Sequence, residues 1–414
     1  MAVFEYRDRR LEVEGVPLAD IARAVGTPTY VYSRAAFTGA LAELTATFAD
    51  RPHLLCYSVK TCANLTLLRM VAEGGFGADI VSGGELFKAL QAGLDPGRVV
   101  FSGVGKTERE MAEALTAGIM MFNVESAGEM ELLSRVAGGL GRPAPMALRV
   151  NPDVDPQTHP YIATGLKASK FGVPHSEALA LYRLAAADPN LNVVGIDCHI
   201  GSQLTATAPF AAAAERLRDL VLELAAAGIN LKYLDLGGGL GICYNEENPP
   251  TAAEYAAALR PVLDSLPGLT LVLEPGRRVA GPSGALLVRV LYNKRNGPRR
   301  FVVVDGAMND LIRPSLYGAH HAIRPVLRTG DAEEIVDVVG PVCESGDFLA
   351  RERPLAAVEP GDFLAVLDAG AYGYTMSSNY NARPRAAEVL VDNGSFKVIK
   401  PRETYADLVR GETI

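Results

Sequence analysis

The sequence predicts an α/β fold: a (β/α)8 barrel followed by a C-terminal all-β domain, which the N-terminal segment joins. The first observation is an alternation, between Leu54 and Arg277, of short apolar runs with alanine-rich amphipathic stretches. About eight strand–helix repeats without a long interruption are the number that closes such a barrel. The second observation is that helical periodicity becomes scarce after Gly281, where apolar runs are separated by Pro, Gly, Asn and Asp.

The predicted barrel strands are short apolar runs of the kind found in parallel strands that are buried on both faces. They are Leu54–Lys60, Ala78–Val81, Val99–Ser102, Met120–Val124, Met146–Asn151, Val193–Ile200, Tyr233–Leu236 and Leu271–Glu274. The predicted helices between them include Gly84–Ala92, Glu108–Ala117, Ala127–Ala137, Glu177–Ala187 and Pro209–Ala227. A doubly wound open sheet is the structural alternative. It usually has fewer strands and a glycine-rich turn after the first, whereas the turn after Lys60 carries no glycine.

The all-β domain is predicted from apolar and alternating runs that are bounded by turn residues. These runs are Ala285–Tyr292, Phe301–Val304, Ile335–Val339, Phe363–Leu367, Ala386–Val391 and Phe396–Ile399. Near the N-terminus, the strand-like Val3–Tyr6 and Leu11–Val13 precede a short helix near Leu18–Val25. We expect this N-terminal segment to join the all-β domain.

A chain of 414 residues exceeds what one hydrophobic core usually holds, so two domains are expected. The change of pattern places a barrel domain at 30–282 and a β-domain at 1–29 together with 283–414. Hydrophobic residues make up 49% of the chain and charged residues 21%, which is ordinary for a globular enzyme and argues against long disorder.

Charge, hydropathy and cysteine usage limit the classes of binding partner and the cellular compartment that are expected. The net charge of −8 argues against nucleic acid as a partner. No apolar run reaches the length of a membrane span, and the N-terminus lacks the pattern of a signal peptide. The five cysteines are scattered without paired spacing, which argues against a disulfide framework or a zinc site. We therefore expect a cytoplasmic protein that binds no membrane, nucleic acid or metal.

Polar and ionisable residues stand at or just after the ends of the predicted strands, and in a barrel these ends converge on one mouth. They are Lys60, Asp79, Ser82, Ser102, Arg149, Asn151, His199, Asp235, Glu274 and Arg277. Each has a plain structural alternative: Lys60 as a snorkelling surface lysine, His199 as a core histidine bonded to backbone, and Glu274 as a helix-capping acid. Several ionisable groups at successive strand ends are harder to explain in this way, because buried charge without use is disfavoured.

Two glycine-containing loops follow the last predicted barrel strands. Gly237-Gly238-Gly239-Leu240-Gly241 is able to cradle a phosphate with backbone N–H groups, and Glu274-Pro275-Gly276-Arg277 follows the next strand. Phosphate sites in barrels frequently use the loops after the last two strands. Pyridoxal 5′-phosphate (PLP) requires three groups: a lysine that binds its aldehyde, a glycine loop that holds its phosphate, and an acid that pairs with its ring nitrogen. The sequence therefore predicts a PLP site in the barrel.

The chain resembles the fold-type III PLP-dependent decarboxylases over nearly its whole length. The motifs that carry the resemblance are Tyr57-Ser58-Val59-Lys60, Asn151-Pro152-Asp153-Val154-Asp155 through Lys170-Phe171-Gly172, His199-Ile200-Gly201-Ser202-Gln203, Gly237-Gly238-Gly239, Glu274-Pro275-Gly276-Arg277, Arg313-Pro314-Ser315-Leu316-Tyr317, Cys343-Glu344-Ser345-Gly346-Asp347 and Ala369-Gly370-Ala371-Tyr372. One departure is that Thr61-Cys62 stands between the lysine and Ala63-Asn64, where the family commonly has Ala-Asn directly after the lysine. The role of Cys62 is left open.

The resemblance implies a role for each matching residue. Lys60 would hold PLP covalently, His199 would stack on its ring, Glu274 would pair with the ring nitrogen, and Cys343 would protonate the product. The implied cofactor-binding set is Lys60, Asp79, His199, Ser202, Gly237, Gly238, Gly239, Glu274, Gly276, Arg277 and Tyr372. The implied substrate-binding set is Arg277, Arg313, Tyr317, Glu344 and Tyr372. Cys343 and Glu344 would come from the second subunit of a homodimer whose active sites lie at the interface.

The resemblance implies, as the leading hypothesis, decarboxylation of meso-2,6-diaminopimelate to L-lysine and CO₂, the last step of lysine biosynthesis. Arg313 and Tyr317 favour a substrate with a distal carboxylate, because the arginine fork matches a carboxylate. The alternatives are a related decarboxylase acting on ornithine, arginine, carboxynorspermidine or a carrier-protein-bound amino acid, a non-catalytic PLP-binding regulator, and an alanine racemase-like enzyme. A regulator would be expected to lack Lys60 or Cys343, and a racemase would place an arginine rather than Glu274 near the ring nitrogen.

Overall fold

The computed structural model describes residues 3–155, 169–330 and 332–414, and the chain divides into two units. The barrel unit consists of Leu41–Ile242 and Asn248–Arg278, and the β unit consists of Met1–Ala40, Cys243–Glu247 and Val279–Ile414. The domain limits predicted above, 30–282 against 1–29 with 283–414, stay a prediction. Within the described residues, no helix combines the length and the apolar character that a membrane crossing requires.

The first elements of the β unit match the prediction for the N-terminal segment. They are β1 (Phe4–Arg7), β2 (Arg10–Val13), β3 (Val16–Pro17), α1 (Leu18–Val25) and β4 (Thr29–Ser33). The first three strands form a small antiparallel sheet. One face of α1 is buried through Leu18, Ile21 and Ala22, which explains why the predicted helix has the bounds observed.

Strands and helices alternate through the next part of the chain. In order they are α2 (Arg34–Thr47), β5 (His53–Ser58), α3 (Leu65–Glu73), β6 (Gly77–Ile80), α4 (Gly83–Gln91), β7 (Val99–Phe101), α5 (Glu108–Ala117), β8 (Met121–Val124), α6 (Ala127–Leu140), β9 (Ala144–Asn151), β10 (Val173–Pro174), α7 (His175–Ala187), β11 (Leu191–Asp197), α8 (Ala208–Ala226), β12 (Tyr233–Asp235), α9 (Ala252–Asp264), β13 (Thr270–Leu273) and α10 (Arg277–Ala280). Capping side chains fix the starts of several helices, and α5 and α9 carry complete capping boxes at Thr107 and Thr251.

The parallel sheet of the barrel unit closes on itself, which confirms the predicted barrel. Its order is β5-β6-β7-β8-β9-β11-β12-β13, and β13 pairs back to β5. One layer of the interior is apolar and consists of Cys56, Val100, Met121, Ala147, Val194 and Val272. Because all eight strands are parallel, their carboxyl ends lie at the same mouth, and the polar strand-end residues are collected there.

Two predicted strands end two and three residues earlier in the structure than expected, whereas the other barrel strands end within one residue of the predicted position. β5 ends at Ser58, and Lys60 lies in a 3₁₀ turn at Val59–Thr61. The Thr61 hydroxyl donates to the Ser58 carbonyl oxygen at 2.7 Å and so closes this turn. Likewise β11 ends at Asp197, which leaves His199 in the following loop. The lysine and the histidine therefore stand on loops at the mouth and not on the strands themselves.

The remainder of the β unit is mostly sheet, as predicted. Its elements are β14 (Gly284–Asn296), β15 (Arg299–Val304), α11 (Arg313–Tyr317), β16 (Ile323–Pro325), β17 (Glu333–Val339), β18 (Phe348–Ala356), β19 (Phe363–Val366), β20 (Ala387–Asp392), β21 (Ser395–Lys400) and α12 (Tyr405–Leu408). The main path of the sheet is β18-β17-β15-β14-β4-β20-β21. The sequence did not predict β4, which is buried at every residue and lies between β14 and β20.

A buried aspartate in the β unit provides a pH-dependent test of this fold. Asp310 is 1% exposed, and its Oδ2 accepts a hydrogen bond from the Ala307 N–H at 3.0 Å. Its Oδ1 is buried and accepts no hydrogen bond from the part of the chain that the structure describes. Burial raises the pKa of Asp310 to about 7. The folded state therefore binds this proton more tightly than the unfolded chain, in which an aspartate titrates at about 3.9.

We expect the stabilising contribution of protonated Asp310 to be complete below about pH 4 and to be lost as the pH rises through 7. Asp310→Asn removes this dependence. The difference in free energy of unfolding, variant minus wild type, should therefore be about 2 to 4 kcal/mol more positive at pH 8 than at pH 5. Urea unfolding at the two pH values measures the difference, and Asp8→Asn, at an exposed position of the same unit, is the control. Equal pH slopes for the Asp310 variant and the wild type would contradict the assignment.

Candidate active site

Lys60 is held at the barrel mouth by a carboxylate from the neighbouring strand. Its Nζ donates to Asp79 Oδ2 at 2.5 Å, and Asp79 lies fully buried on β6. The Ser58 hydroxyl donates to the same oxygen at 3.0 Å. Asp79 Oδ1 is buried and accepts no hydrogen bond within the described residues. The amine is therefore oriented by a fixed anion while its side chain keeps 30% of its surface exposed.

Glu274 follows β13 and is 4% exposed, with polar neighbours that come from other strands. Its Oε1 accepts hydrogen bonds from the Ser102 hydroxyl at 3.3 Å and from Asn123 Nδ2 at 3.4 Å. Asn123 Nδ2 also donates to Ser102 Oγ at 3.1 Å. These contacts fix the carboxyl group in place without neutralising it.

Three buried carboxyl groups meet inside the barrel. One oxygen from each of Asp197, Asp235 and Glu274 lies within 4.8 Å of the other two. Burial raises the pKa of Asp235 to about 6, although its Oδ1 accepts a hydrogen bond from the Gly237 N–H at 2.9 Å. Burial, and then the negative charge of Asp235, raise the pKa values of Glu274 and Asp197 well above their ordinary range. Burial therefore favours the protonated forms of these carboxyl groups, and the guanidinium of Arg149, 3.8 Å from Asp197, opposes this effect.

His199 presents a neutral ring at the mouth. Its Nδ1 accepts a hydrogen bond from the Gly238 N–H at 3.1 Å, so this nitrogen carries no proton. The low-dielectric surroundings, together with the positive charges of Arg149 and Lys60, lower the pKa of His199 well below its ordinary value. The flat imidazole is thus available to pack against a ring without adding a charge.

Arg149 on β9 and Glu125 tie together the loops that follow β7, β8 and β11 through buried ion pairs and hydrogen bonds. Glu125 accepts hydrogen bonds from the Gly103 N–H at 2.8 Å and from Arg149 Nη1 at 3.0 Å. Arg149 Nη2 in turn donates to the His199 carbonyl oxygen at 3.3 Å. Lys106, whose side chain is fully buried, donates to Glu129 and to the Asn123 carbonyl oxygen, both at 2.7 Å. We refer to Lys106, Glu125, Glu129 and Arg149 as the buried ionic network.

The glycine loop after β12 leaves no room for side chains. A Cβ at Gly238 would lie 2.2 Å from the Glu274 carbonyl oxygen, and one at Gly239 would lie 2.6 Å from the Gly201 carbonyl oxygen. Gly237 and Gly239 also have φ values of +63° and +116°, which favour glycine. A Cβ at Gly276 would lie 2.5 Å from Thr61 Cγ2. The N–H groups of Gly237 and Gly238 donate to Asp235 Oδ1 and to His199 Nδ1, so the loop offers a phosphate a close approach to backbone that no side chain obstructs.

Arg277 is 6% exposed and stands directly after this region at the start of α10. Its Nη2 and Nε donate to Ser202 Oγ at 3.0 Å and 3.3 Å. The loop that carries Ser202 is in turn joined to the glycine loop, because the Leu204 N–H donates to the Gly239 carbonyl oxygen at 2.9 Å. The barrel unit thus brings together Lys60, Asp79, His199, Ser202, Gly237, Gly238, Gly239, Glu274, Gly276 and Arg277 at neighbouring strand ends and loops.

The remaining predicted site residues belong to the β unit. Arg313 is 5% exposed, and its Nη1 lies 2.9 Å from Tyr244 Oη and 3.0 Å from His321 Nε2. Tyr317 ends the same helix, α11, one turn away. Tyr372 adopts a φ of +58°, a left-handed conformation that is uncommon for a tyrosine. Arg313 is therefore a rigidly held guanidinium.

Cys343 and Glu344 lie in an exposed loop that is fixed by the segment around Tyr380. The Cys343 N–H donates to Asn381 Oδ1 at 2.9 Å. The Tyr380 hydroxyl donates to Glu344 Oε2 at 2.8 Å. The thiol and the carboxylate are thus held at the protein surface, which is where residues contributed to a neighbouring subunit would have to stand.

Some polar strand-end residues have structural positions instead. The Ser82 hydroxyl caps α4 by accepting a hydrogen bond from the Glu85 N–H at 3.2 Å. Asn151 Oδ1 accepts from the Asp153 N–H at 2.9 Å. Cys62 is 1% exposed and buried in the barrel unit. Residues 156–168, inside the similar stretch that runs from Asn151 to Gly172, lie outside the described residues.

The sequence did not predict Ser58, Asn123 and Asp197 as part of the site. Asn123 and Asp197 carry a signal, since each is a polar residue within a predicted apolar strand, Met120–Val124 and Val193–Ile200 respectively. A polar residue on a strand buried on both faces requires a partner inside the barrel. Ser58 stands within a quoted motif, but its hydrogen bonds to Asp79 Oδ2 and to the Glu274 carbonyl oxygen depend on the closed sheet.

Comparison with known proteins agrees with this geometry. The family model for the pyridoxal-dependent decarboxylases (pyridoxal binding domain) matches residues 35–281. The diaminopimelate decarboxylase of Pseudomonas aeruginosa is 53% identical over 414 residues, which covers 100% of this chain and 99% of the relative. The chain belongs to the diaminopimelate decarboxylase family. Diaminopimelate decarboxylase of Vibrio cholerae is 51% identical over 416 residues, with coverage of 100% and 99%.

Solved structures of the family have the same fold. Diaminopimelate decarboxylase from Helicobacter pylori, complexed with L-lysine, is 41% identical with a TM-score of 0.92 and covers 95% of this chain and 98% of that one. The enzyme from M. jannaschii in co-complex with L-lysine is 37% identical with a TM-score of 0.95 and covers 100% and 98%. As a diaminopimelate decarboxylase family member, the chain is a PLP-dependent carboxy-lyase.

The residues of the barrel mouth fit PLP. The Lys60 amine lies on a loop and is only partly buried, while its partner Asp79 is fully buried. The glycine loop is closed to any Cβ, as a cradle for a phosphate must be. Glu274 is a buried carboxyl group whose proton a cationic ring nitrogen would displace. These are features of the described chain alone, and they match the amine, phosphate and ring requirements of the cofactor.

Proposed function

We propose that the chain decarboxylates meso-2,6-diaminopimelate to L-lysine and CO₂. The observation that carries the proposal is the arrangement at the barrel mouth, where a lysine amine, a neutral histidine, a glycine cradle and a buried carboxyl group occupy neighbouring strand ends. When bound, PLP supplies an aldehyde that captures the amino acid and a ring that accepts the electrons left by departing CO₂. The protein has to hold this ring, orient the substrate and deliver a proton.

Residues of the barrel unit hold the cofactor. Lys60 is the anchor, and Asp79 directs its amine. Glu274 would pair with the ring nitrogen and would keep it protonated, because a nearby negative charge favours the protonated form. His199 packs against the ring as a neutral imidazole. The phosphate would lie against the glycine loop and Ser202, and the family resemblance alone assigns Tyr372 to the same group.

Residues with guanidinium and phenol groups bind the substrate. One carboxylate of the substrate leaves as CO₂, so the protein has to bind the other, distal carboxylate. Arg313 suits this task because its guanidinium is buried and is held by Tyr244 and His321, which lowers the entropic cost of binding. Tyr317 and Arg277 contribute to the same carboxylate grip, and Glu344 binds the distal amine.

Cys343 supplies the proton that the α-carbon requires after CO₂ has left. We infer that Cys343 and Glu344 act in the site of a partner subunit, so that the enzyme is a cytoplasmic homodimer with its active sites at the interface. The support for this is that both side chains are exposed and that their loop is held rigidly by Tyr380 and Asn381.

The decisive experiment compares substrates. Purified protein with PLP is incubated separately with meso-diaminopimelate, L-ornithine and L-arginine, and the release of CO₂ is measured. We expect rapid release from meso-diaminopimelate alone, since the other two lack a distal carboxylate for Arg313. Release from ornithine or arginine without release from meso-diaminopimelate would show that the substrate assignment is wrong.

The proton donor can be tested by substitution. Cys343→Ala should retain bound PLP, while turnover of meso-diaminopimelate falls about 100-fold or more, because general acid catalysis contributes on this scale. Cys243→Ala, at another exposed cysteine of the β unit, is the matched control and should keep its turnover. Unchanged turnover in the Cys343 variant would remove this residue as the acid.

A further inference from the structure

The β unit contains a second cavity whose chemistry differs from that of the barrel mouth. Its volume is about 480 Å³, and it lies beside β1, β16, β17 and β18. This volume falls in the range of small-molecule sites, roughly 300 to 1,000 Å³. Three arginines line it, namely Arg324, Arg328 and Arg353, whereas Glu333 is its one acidic lining residue among those described. The cavity therefore carries an excess of positive charge.

Few counter-ions face the three arginines in the described part of the chain: Glu333 lines the cavity, and the charge of Arg324 counteracts the rise that burial causes in the pKa of Asp368. None of them forms an ion pair there, although many other arginines of the protein do. Burial lowers the pKa of Arg353, in agreement with the lack of a nearby anion. A guanidinium that has been partly removed from water without an anion is unfavourable, so an anionic ligand would stabilise the half-buried Arg328 and Arg353, and the exposed Arg324 would add a third positive charge.

Arg328 has an unsatisfied donor. Its guanidinium lies over the ring of Tyr6, with 5.4 Å from the guanidinium carbon to the ring centre. The ring is held in place because the Tyr6 hydroxyl donates to the Pro325 carbonyl oxygen at 2.6 Å. The Nε of Arg328 is buried and donates no hydrogen bond to any described residue. Stacking thus orients the guanidinium fork, and an oxyanion would supply the acceptor that its nitrogen lacks.

Arg353 connects the cavity to Arg313. His320 Nδ1 lies 2.9 Å from the Tyr244 carbonyl oxygen, so it carries the proton, and His320 Nε2 accepts from Arg353 Nη1. Tyr244 in turn contacts Arg313 through its hydroxyl at 2.9 Å. A second route runs through His321, whose carbonyl oxygen accepts from Arg353 at 3.3 Å and whose Nε2 lies 3.0 Å from Arg313 Nη1.

We propose that this cavity binds a small multivalent oxyanion, a phosphate or a polycarboxylate, and that its occupancy alters the grip of Arg313 on the substrate. Arg324, Arg328 and Arg353 bind the oxygens of the anion, and Arg353 transmits its position through His320 and Tyr244. The second part rests on the proposed role of Arg313 in substrate binding, whereas the binding of the anion does not.

The binding is tested by isothermal titration calorimetry of the holoenzyme with inorganic phosphate and, in a separate series, with citrate, at constant ionic strength. The stronger of the two ligands identifies the class of oxyanion. Arg328→Gln should raise Kd at least about tenfold, the expected effect of losing a charge-assisted contact. Arg295→Gln removes the same charge from an exposed position of the same unit outside the cavity and should leave Kd unchanged.

Failure of the wild type to bind either anion, or an equal loss of affinity in both variants, would overturn the proposed site. Circular dichroism and the visible absorption of bound PLP establish that the variants are folded.

The coupling is tested by KM for meso-diaminopimelate with and without the bound anion. We expect a change of KM of at least about twofold in the wild type and none in Arg328→Gln. An unchanged KM in the wild type would refute the coupling, and a lack of CO₂ release from any amino acid would refute the proposed function while leaving the calorimetric result intact.

Discussion

Lys60→Ala should purify without the visible absorption of lysine-bound PLP, and its turnover of meso-diaminopimelate should fall by about 1,000-fold or more. The amine is the nucleophile that captures the cofactor, and no other side chain replaces a covalent anchor at this position. The substitution also removes the amine that lies 2.5 Å from the buried Asp79 carboxylate. We therefore expect the apoprotein to be less stable than wild-type apoprotein by about 1 to 3 kcal/mol, since a buried carboxylate loses its charge partner.

Absorption spectra and CO₂ release provide the measurement for this variant. The matched control is Lys232→Ala, which removes an exposed lysine just before β12 and should leave the spectrum and the turnover unaltered. If the Lys60 variant keeps the absorption band, the anchor must be a different lysine.

Glu274→Gln should keep bound PLP but lose turnover by about 100-fold or more, the scale on which removal of a preorganised electrostatic contact acts. Glutamine preserves the shape and the oxygen that accepts from Ser102 and Asn123, so the local hydrogen bonds survive. It lacks the negative charge that keeps the ring nitrogen protonated. The loss should therefore appear in kcat more than in the affinity for the cofactor.

The stability of the Glu274→Gln variant separates a catalytic from a structural role. Burial raises the pKa of Glu274 well above its ordinary range, so ionising it in the folded protein without a cation beside it is unfavourable. We expect apoprotein of this variant to be at least as stable as the wild type at pH 8. Glu131→Gln, at an exposed position on α6, is the control. Normal turnover, or loss of folding in the Glu274 variant, would contradict the assignment.

Local patterns were sufficient to predict most of the barrel. Its strands are short apolar runs with polar residues at their ends, and the observed strand ends lie close to the predicted ones. β4 was missed because its partners β14 and β20 are distant in sequence, and no local pattern indicates such pairing. Lys60 and His199 were placed on strands because the turns that end β5 and β11 depend on contacts with neighbouring strands.

The residues of the candidate site likewise fall into those that local sequence patterns predict and those that they do not. The glycine loop, Glu274 and Lys60 belong to continuous motifs, so the sequence was enough to predict them. Asn123 and the Tyr380–Asn381 segment act through hydrogen bonds to residues that are far away in sequence. Their partners are set by three-dimensional proximity: the amide of Asn123 in an apolar run indicates only that it needs some partner, and no local pattern indicates the contacts of Tyr380 and Asn381.

The buried ionic network limits how the substrate range of this enzyme can be altered. Loops at the mouth of a barrel are usually treated as independent modules that can be exchanged one at a time. Here Glu125 is bonded at once to the backbone of the loop after β7 and to Arg149, which also contacts the loop that carries His199. Replacing one of these loops alone would leave a buried charge without its partner. Libraries aimed at new amino acids should therefore keep Arg149 on β9 and exchange the loops after β7, β8 and β11 as one block, or else retain Lys106, Glu125, Glu129 and Arg149 and vary only the residues between them.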